Sequence, residues 1–499
     1  MSSSRWALCV LMAAFAASIP APARAGGHLG DLTGPWVLFV DDYGIAEKAG
    51  VVRTYHAFEK DARNPVLSGD KPWEGGLAYV YGTVLPGEDG AGYRMWYHSW
   101  AEGEYRMLYA TSEDGVHWEK PALGLVEYGG SSANNILFRR THENHNPQVI
   151  HTPWDPDPAR RYKMVYFEYG RTPPHFTVTG YYGAASPDGI HWTDVKDTPV
   201  LRDDPGDVGN FVWDAHAGRY LGYPKKFTEV RGYRRRCVGY SATTDFESWP
   251  PSKLILTPDE FDDQLVQRGG EPMHEGAHTD FYGLCGFAYE SMYIGFLWMF
   301  PITDGGSDGP IFVELVSSHD GVHWTRQEEP RPPILPVGPD GAWDDGMVFT
   351  PNHPLVEGGA IRLYYGGFDV THGVDGGRAG VGLATLRKDG FASLDAGAEE
   401  GVVTTKPLAG CSGPLRVNFR AEDGSVRVEV LDAGGAVVPG YGRGDCAPLV
   451  GDSIDTAVSW GERRTLPEVD GALRLRFVLQ NASLYSFAAG ASAPGLAGE

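Results

Sequence analysis

The chain has 499 residues, of which 42% are hydrophobic and 21% are charged, a composition typical of a folded protein and not of a disordered one. Asp and Glu number 65 against 42 Lys and Arg, so the formal net charge is -23. Because nucleic acids and anionic membrane surfaces attract basic proteins, this charge excludes both as partners. The high counts of glycine (67) and proline (36) are typical of many short strands joined by tight turns.

The first 25 residues carry the pattern of a secretory signal peptide. Arg5 precedes an apolar run, and small residues follow it at Ala23-Arg24-Ala25, which predicts cleavage near Ala25. No other stretch reaches 18 consecutive apolar residues, so we expect no membrane-spanning segment in the mature chain. The sequence therefore predicts a secreted or periplasmic protein.

A short repeat runs through the middle of the chain. The sequence Ser-Glu-Asp-Gly-Val-His-Trp at 112–118 recurs in similar form at 186–192 and 318–324, with a degraded copy at 244–249 and a remnant at 388–391. Each copy follows runs of β-forming residues, and its Asp-Gly pair favours a tight turn between antiparallel strands. Five such units predict an all-β fold, a five-bladed β-propeller over residues 26–400.

The repeat also contains histidines, at positions 117, 191 and 323. They occupy equivalent positions in separate blades and would lie far apart around the ring, so a structural role is favoured over metal binding.

After residue 400 a different series of strand patterns predicts a second all-β domain, a C-terminal β-sandwich over 401–490. Residues 491–499 are expected to form a disordered tail. Four cysteines remain after signal-peptide cleavage, and an exported protein can form disulfides. We favour Cys411–Cys446 and, by elimination, Cys237–Cys285, with free buried thiols as the alternative.

Together the signal peptide, the Asp-Gly-x-His-Trp turns and the C-terminal sandwich resemble the superfamily of glycoside hydrolase families 32 and 43. The segments that carry this likeness are the blade repeats, Asn64-Pro65-Val66-Leu67, Val438-Pro439-Gly440-Tyr441 and Asp445-Cys446. The nearest likeness is to uncharacterised bacterial proteins described as family-32-like N-terminal domain proteins. The resemblance implies a catalytic propeller that acts on carbohydrate. Three motifs of characterised family-32 enzymes (Trp-x-Asn-Asp-Pro-Asn-Gly, Arg-Asp-Pro and Glu-Cys) are absent, so fructan hydrolysis is not implied.

Carboxyl groups near the propeller axis are the candidates for glycoside cleavage, which usually uses two of them. Only residues at the axial end of each blade's innermost strand converge on one pocket, and the predicted innermost strands begin near residues 78, 146, 208, 280 and 346. Acidic residues at or just before these starts are Glu74, Glu143, Asp207, Asp280, Asp344 and Asp345. From these we take Asp207, Asp280, Glu74 and Asp345 as candidate catalytic residues. Their roles as acid or base are left open.

Basic, polar and aromatic residues near the same strand starts are candidates for substrate binding. They are Arg53, His56, His145, Asn146, Arg268, His278 and Trp73. Arginines and histidines crowded before the strands favour a polar pocket that can accept an anionic ligand. Trp100, Trp154 and Tyr233 are further possible platforms for sugar rings. No cofactor is expected, and a structural divalent cation would leave no signature in this sequence.

A His-Glu-x-x-His string at 274–278 matches the zincin motif, which binds zinc only when it lies on a helix. The surrounding glycines and proline disfavour a helix there. The sequence thus predicts a secreted glycoside hydrolase with a carbohydrate substrate. The alternatives are a glycoside phosphorylase, in which the basic residues hold phosphate, and a carbohydrate-binding propeller without catalysis. The oligomeric state is left open.

Overall fold

The structure is a computed structural model that describes residues 36–138, 144–169, 178–202, 206–468, 471–489 and 495–496. The predicted signal peptide, residues 1–25, lies outside this range, and secretion remains a prediction. The described chain is all-β, with three short 3-10 turns at Pro72–Glu74, Pro158–Arg160 and Asp262–Val266. None of the helices found in these residues is long and apolar enough to cross a bilayer.

Five antiparallel sheets form the five-bladed propeller arrangement that the repeat predicted. Blades 1 to 3 each begin with their innermost strand and continue outward along the chain. Blade 1 contains Tyr79–Pro86, Tyr93–Ala101, Glu104–Ser112, Trp118–Glu119 and Ile136–Phe138. Blade 2 contains His145–His151, Tyr162–Glu168, Gly180–Ser186 and Thr193–Asp194. Blade 3 contains Gly209–Asp214, Arg219–Val230, Tyr233–Thr243 and Lys253–Leu256.

Blades 4 and 5 complete the ring, and a small separate hairpin of Gln267–Arg268 and Glu271–Pro272 precedes blade 4. Blade 4 contains His278–Tyr289, Met292–Ile302, Phe312–Ser318 and Trp324–Arg326. Blade 5 contains Met347–Phe349, Leu355–Glu357, Ala360–Phe368 and Ala379–Arg387. Its outermost strands come from the N-terminal part of the chain, Glu59–Lys60 and Leu67–Ser68, both paired with Ala379–Arg387. The ring is therefore closed by residues that precede blade 1.

The five innermost strands begin at Tyr79, His145, Gly209, His278 and Met347. Each start lies within two residues of the predicted one, so the prediction of the axial strand ends is confirmed. Large apolar side chains fill the propeller between these strands; Trp96, Trp298, Phe281 and Val348 are at most 1% exposed. This packing fixes the strand starts around one axis.

The repeated Asp-Gly turns have the same hydrogen bonds in all three copies. In the first copy, Asp114 Oδ1 accepts hydrogen bonds from the backbone N–H groups of Val116 (2.9 Å) and His117 (2.8 Å), and His117 Nδ1 lies 2.7 Å from Asp114 Oδ2. The second and third copies repeat these contacts. Each histidine thus binds the Asp of its own turn, which confirms the structural interpretation.

The glycine carbonyl of each turn then accepts a hydrogen bond from an aromatic residue of another blade. The donors are Tyr364 Oη to Gly115 (2.8 Å), Trp96 Nε1 to Gly189 (2.7 Å) and Tyr223 Oη to Gly321 (2.9 Å). Blades 5 and 1, 1 and 2, and 3 and 4 are joined in this way. The repeat therefore forms a turn within one blade and a hydrogen-bonded link to the next.

A second sheet lies beside the propeller and mixes both ends of the chain. Its strands are Val37–Leu38, Ile45–Ala49, Val52–Tyr55, Ala392–Ala396, Gly401–Thr405, Leu408–Ala409, Leu415–Asp432, Leu449–Ala457, Leu473–Gln480, Ala482–Ala489 and Gly495–Leu496. The predicted boundary at residue 400 differs from this arrangement, because strands before it pair with strands after it. A C-terminal all-β region is present, and its description as a sandwich stays a prediction. Gly495–Leu496, within the expected disordered tail, pair with Leu408–Ala409.

All four cysteines of the described chain are free, so the two predicted disulfides are absent from the structure. Cys285 Sγ instead lies 3.1 Å from Thr350 Oγ1, and Cys446 Sγ accepts a hydrogen bond from the Val428 N–H at 3.2 Å. Burial raises the pKa of the Cys237 thiol to about 12 and that of Cys411 to about 11. Cys237, Cys285 and Cys446 are buried and Cys411 is half-buried, so the thiols act as packing groups, close to the alternative that the sequence left open.

Candidate active site

A pocket of about 250 Å³ opens at the axial end of the propeller where the innermost strands begin. Its lining residues come from blades 2 to 5 and are Phe167, Tyr169, Asp207, Lys225, Phe227, Arg236, Tyr282 and His372. Four of the eight are aromatic rings without a charge, and three of the others are basic. Asp207 is the one carboxylate in this lining.

One wall of the pocket is a hairpin that rises from blade 3. The innermost strand of this blade pairs only with residues 219–224, whereas the second and third strands continue to Val230 and from Tyr233. Lys225, Phe227 and Arg236 lie on this extension, with Phe227 opposite Arg236. These long strands therefore carry three of the eight lining residues past the edge of their own blade.

Arg235 fixes the extended hairpin to blade 4. Its side chain is fully buried, Nη1 lies 2.5 Å from Asp263 Oδ1, and the same nitrogen donates to the Thr279 carbonyl at 3.0 Å. A guanidinium held by a carboxylate and a backbone carbonyl is restricted in direction. The hairpin wall, and Arg236 beside Arg235, is thus positioned before a ligand arrives.

Both oxygens of Asp207 are engaged. Lys225 Nζ donates to Oδ1 at 2.5 Å, and the Tyr169 hydroxyl donates to Oδ2. Burial alone would raise the pKa of Asp207, but the Lys225 charge and these hydrogen bonds hold it well below its usual value. Asp207 is therefore ionised near neutral pH, which suits a nucleophile or a stabiliser of positive charge.

The basic residues of the pocket surround a tyrosine ring. Lys225 Nζ lies 4.7 Å from the centre of the Tyr282 ring and the Arg236 guanidinium carbon 5.9 Å from it. Burial lowers the pKa of Lys225, and the charge of Asp207 opposes that shift. The two cations therefore face the same small volume as Asp207.

His372 contributes a neutral imidazole. Its Nδ1 lies 2.8 Å from the Ser307 carbonyl oxygen and donates to it, so Nε2 is free of a proton and accepts from the Tyr282 hydroxyl at 3.1 Å. Burial lowers the pKa of His372, which keeps the ring uncharged at neutral pH. The pocket thus offers two cations, one carboxylate, hydroxyls and a neutral histidine.

Asp280, the second leading candidate, is 1% exposed and does not line the pocket. Arg236 Nη1 lies 2.8 Å from its Oδ2, so Asp280 acts on the pocket through that guanidinium. His278 Nε2 is 3.4 Å from the other oxygen. Burial lowers the pKa of His278, but the hydrogen bonds that it donates to Asp280 and to the Gly276 carbonyl, together with the Asp280 charge, raise it overall. The sequence thus located two carboxylates of one network, of which one faces the pocket.

His145 and Asn146, predicted to bind substrate, lie directly beside Asp207 on blade 2. His145 Nδ1 donates to the Asp207 carbonyl oxygen at 2.8 Å, and burial lowers its pKa. Asn146 is 1% exposed; its Oδ1 accepts from the Gly209 N–H at 3.0 Å and its Nδ2 donates to the Tyr81 carbonyl at 3.2 Å. His145 borders the pocket, and Asn146 supports the strand starts from behind.

The remaining acidic candidates lie outside the pocket lining. Glu74 is fully buried and accepts hydrogen bonds from the Tyr97 hydroxyl (2.6 Å) and Lys120 Nζ (2.7 Å). Asp345 Oδ2 accepts from the Gly341 N–H at 2.6 Å and stabilises a turn. Both have the structural role that acidic residues before strands commonly take. Glu143 lies outside the described residues.

Four candidate binding residues are also placed elsewhere. Trp73 Nε1 donates to Asn135 Oδ1 at 2.8 Å in the core of blade 1, and Arg268 is exposed on the small hairpin before blade 4. His56 Nε2 lies 2.8 Å from Ser393 Oγ beside the second sheet. Arg53 lines a different cavity, of about 200 Å³, and forms ion pairs with Asp42 and Glu328. These four residues are close to the strand starts along the chain, but in three dimensions they lie away from the pocket.

Most of the pocket residues missing from the sequence prediction lie on second and third strands or directly after them, whereas Tyr282 lies on the innermost strand of blade 4. Lys225 and Arg236 lie where the blade 3 strands extend past their blade, Tyr169 follows the second strand of blade 2, and no local sequence pattern marks these positions. The His-Glu-x-x-His string forms turns instead of a helix, so it lacks the zincin geometry. Across the described ranges, no group of three or more His, Cys, Asp or Glu side chains gathers to hold a metal ion.

Comparisons with known proteins add relatives without a described activity. No family model matches the chain, so membership of glycoside hydrolase families 32 or 43 stays a prediction. An uncharacterized protein of Mycobacterium tuberculosis (strain H37Rv) is 30% identical over 184 residues, which are 36% of this chain and 50% of that protein. An uncharacterized protein of strain CDC 1551 matches equally. The chain spans about half the length of the curated relatives it matches.

Several solved structures are similar at low identity. A glycosyl hydrolase from Bacteroides ovatus is 16% identical, with a TM-score of 0.42 over 67% of this chain and 94% of that one. A structure from work on the GH130 family of mannoside phosphorylases and glycoside hydrolases is 16% identical, with a TM-score of 0.41 over 67% and 94%. An N-acetylgalactosamine deacetylase from F. plautii is 14% identical, with a TM-score of 0.42 over 69% and 97%. At TM-scores below 0.5 these likenesses decide neither the reaction nor the substrate of this protein.

Proposed function

We propose that this protein is a carbohydrate-active enzyme that cleaves glycosidic bonds in the axial pocket, with Asp207 as the reacting carboxylate. The observation that carries the proposal is the setting of Asp207, an ionised carboxylate in a small pocket walled by the rings of Phe167, Tyr169, Phe227 and Tyr282. Aromatic rings beside a carboxylate suit a sugar, which offers an apolar face and a carbon that becomes positive during cleavage. In the first form of this reaction, water cleaves the glycosidic bond.

The pocket residues divide the chemistry of cleavage among them. Asp207, being ionised, stabilises the positive charge that develops at the anomeric carbon or attacks that carbon directly. Lys225, whose ammonium group contacts this carboxylate, can donate the proton that the leaving oxygen takes. Neutral His372 can take the proton of an attacking water through the Tyr282 hydroxyl, which accepts the water proton as it passes its own to Nε2. Asp280 is a positioning residue in this scheme, because it acts only through Arg236.

The test begins with the purified mature protein and a broad panel of oligosaccharides and aryl glycosides, whose products are separated by chromatography. Asp207→Asn keeps the shape of the side chain and removes its charge, and we expect turnover to fall at least a hundredfold. Asp155→Asn is the matched control, because Asp155 forms a similar ion pair with Lys163 at 2.6 Å outside the pocket. Equal activity of the two variants, with both folded by circular dichroism, would refute the role of Asp207.

Phosphorolysis is a second candidate, and the basic lining of the pocket favours it. Hydrolysis by two carboxylates needs both of them in the pocket. Asp207 is the single carboxylate among the lining residues, and the basic side chains beside it are Lys225, Arg236 and His372. Lys and Arg bind phosphate oxygens strongly, and phosphate attacks as an anion without a base. In this form of the reaction the anion would take the place of water.

Turnover with and without inorganic phosphate separates the two forms. For phosphorolysis we expect a sugar phosphate as the product and no turnover without phosphate. Arg236→Met should then raise the KM for phosphate at least tenfold. Arg234→Met is the matched control, since Arg234 packs on the same Phe227 ring at 4.6 Å but does not line the pocket. Free sugar released at the same rate without phosphate would exclude phosphorolysis and support hydrolysis.

A further inference from the structure

We infer that the hairpin carrying Trp100 and Tyr105 is a second sugar-binding subsite beside the pocket, so that the substrate is an oligosaccharide. This inference rests on the proposed function for the class of ligand. The subsite would bind the sugar that neighbours the one held in the pocket, and its sugar would be uncharged.

The hairpin lies at the pocket end of blade 1. Trp100 pairs with Tyr105 across the end of the second and third strands, and two residues earlier His98 pairs with Tyr79, the first residue of the innermost strand. The Tyr105 ring centre is 4.6 Å from that of His145, which donates to the Asp207 carbonyl. Tyr105 is therefore separated from Asp207 by a single side chain.

The electrostatic surroundings of Tyr105 agree with this placement. Burial, followed by the charge of Asp207, raises the pKa of Tyr105 to about 12. His145 also lies 6.4 Å from Tyr169, ring centre to ring centre, and Tyr169 lines the pocket. A continuous row of rings thus leads from the pocket to Trp100.

Trp100 has the features of a sugar platform and not of a core residue. Its side chain is 39% exposed, and its ring centre lies 4.3 Å from that of Tyr105 at an angle of 55°. An exposed indole offers a flat apolar face for the C–H face of a sugar ring. Among the described residues the Tyr105 hydroxyl has no hydrogen-bond partner, which leaves it able to bind a sugar hydroxyl.

The platform is held rigid by its turn and by Arg106. Glu102 and Gly103 have φ values of 57° and 79°, as in the tight type I′ turn of a β-hairpin. Arg106 Nη1 donates to the Ala101 carbonyl at 3.0 Å, and Nη2 lies 3.1 Å from Glu102 Oε2. A fixed platform loses little conformational entropy when it binds a ligand.

The charges of the hairpin indicate which sugar it accepts. Glu102 and Glu104 both lie within 3.4 Å of Arg106, so the hairpin carries more acidic than basic groups. The pocket has the opposite balance, with Lys225 and Arg236 against Asp207. An anionic group is therefore confined to the pocket, and the hairpin favours a neutral sugar.

The test compares two substrates of the sugar identified in the panel, its glycosyl fluoride and its trisaccharide. The fluoride fills the pocket but has no neighbouring sugar, so Trp100→Ala should change its kcat/KM by less than twofold. For the trisaccharide we expect a loss of about tenfold, the size of one aromatic stacking contact. Equal losses on the two substrates, or no loss on the trisaccharide, would overturn the subsite.

Trp154→Ala is the matched control. Trp154 is 41% exposed, follows the far end of the innermost strand of blade 2, and packs against Trp213 at 5.3 Å. The seven-residue strand from His145 to His151 spans six residue steps, about 20 Å. We expect Trp154→Ala to leave both substrates unchanged, and a tenfold loss on the trisaccharide would refute the assignment of the subsite to Trp100.

The failure of the proposed function would be visible separately. If the wild-type protein cleaves nothing in the panel, cleavage fails, and calorimetric titration with gluco-, manno-, galacto- and xylo-trisaccharides then tests the subsite alone. Binding that Trp100→Ala weakens about tenfold and Trp154→Ala leaves unchanged would support it. Binding that neither or both variants weaken, or no binding by the folded wild type, would overturn it.

Discussion

The hydrogen-bonded links between blades should contribute to the free energy of unfolding, and the geometry of Gly189 gives the size of one such contribution. This residue has φ +76°, and a Cβ built on it would lie 2.6 Å from Trp96 Cζ2, far inside a normal carbon–carbon contact. Its carbonyl also accepts the Trp96 Nε1 hydrogen bond at 2.7 Å. Gly189→Ala should therefore strain the backbone and push Trp96 away from its partner.

Three costs add up in this variant. The left-handed backbone costs an alanine about 1–2 kcal/mol, the overpacking of a filled site about 1–3 kcal/mol, and the weakened hydrogen bond about 0.5–1.5 kcal/mol. Gly90→Ala isolates the first cost, because Gly90 has φ +78° and nothing within 4 Å of its Cβ. We expect Gly189→Ala to lower the free energy of unfolding by about 1.5–4.5 kcal/mol more than Gly90→Ala does.

The assay is equilibrium unfolding in urea, followed by tryptophan emission and by circular dichroism, for the wild type and both variants. A larger decrease in the midpoint for Gly189→Ala at unchanged slope is the expected result. If the free energies of unfolding of the two variants differ by less than about 0.5 kcal/mol, the contact between the Asp-Gly turn and Trp96 does not stabilise the propeller.

Two further predictions concern buried groups elsewhere in the molecule. Burial and the neighbouring Asp389 raise the pKa of Glu290 to about 8. A carboxyl group whose pKa is raised on folding stabilises the protein at low pH, and this stabilisation is lost as the pH rises through the pKa of the folded state. The melting temperature of the wild type should therefore fall between pH 5 and pH 8.5, and Glu290→Gln should reduce this fall; an equal fall in the variant would contradict the assignment. For the cysteines, titration of the denatured and unreduced mature protein should find four thiols, because all four are free in the structure. Finding none would restore the two disulfides that the sequence suggested.

The sequence predicted the parts of this fold that local patterns encode. The Asp-Gly turns mark the end of a third strand in blades 1, 2 and 4, so the positions of the innermost strands, and with them Asp207 and His145, followed from spacing. Lys225 and Arg236 were missed because they reach the pocket on strands that outgrow their blade, and strand length has no local signal. Their ion pairs with Asp207 and Asp280 depend on that length.

Pairing between strands that are distant in sequence also could not be predicted from local patterns. Glu59–Lys60 and Leu67–Ser68 are too short to show a strand pattern, and only their partner strand in blade 5 defines them. Arg53 and His56 were assigned to the substrate because they precede the first blade in sequence, whereas the strand Val52–Tyr55 pairs with Ala392–Ala396 in the second sheet. Proximity along the chain thus predicted turns well and neighbours in space poorly.

The closure of the ring by these two short strands limits how the protein can be divided. The segment from Val37 to Ser68 supplies strands to the second sheet and, further along, to blade 5. A fragment cut at residue 400 would leave Val37–Leu38 and Ile45–Ala49 without partners, and one that starts at Tyr79 would leave blade 5 with an open edge. The two β-regions are therefore a single unit for expression, and a tag or fusion partner is better tolerated outside this N-terminal segment than within it.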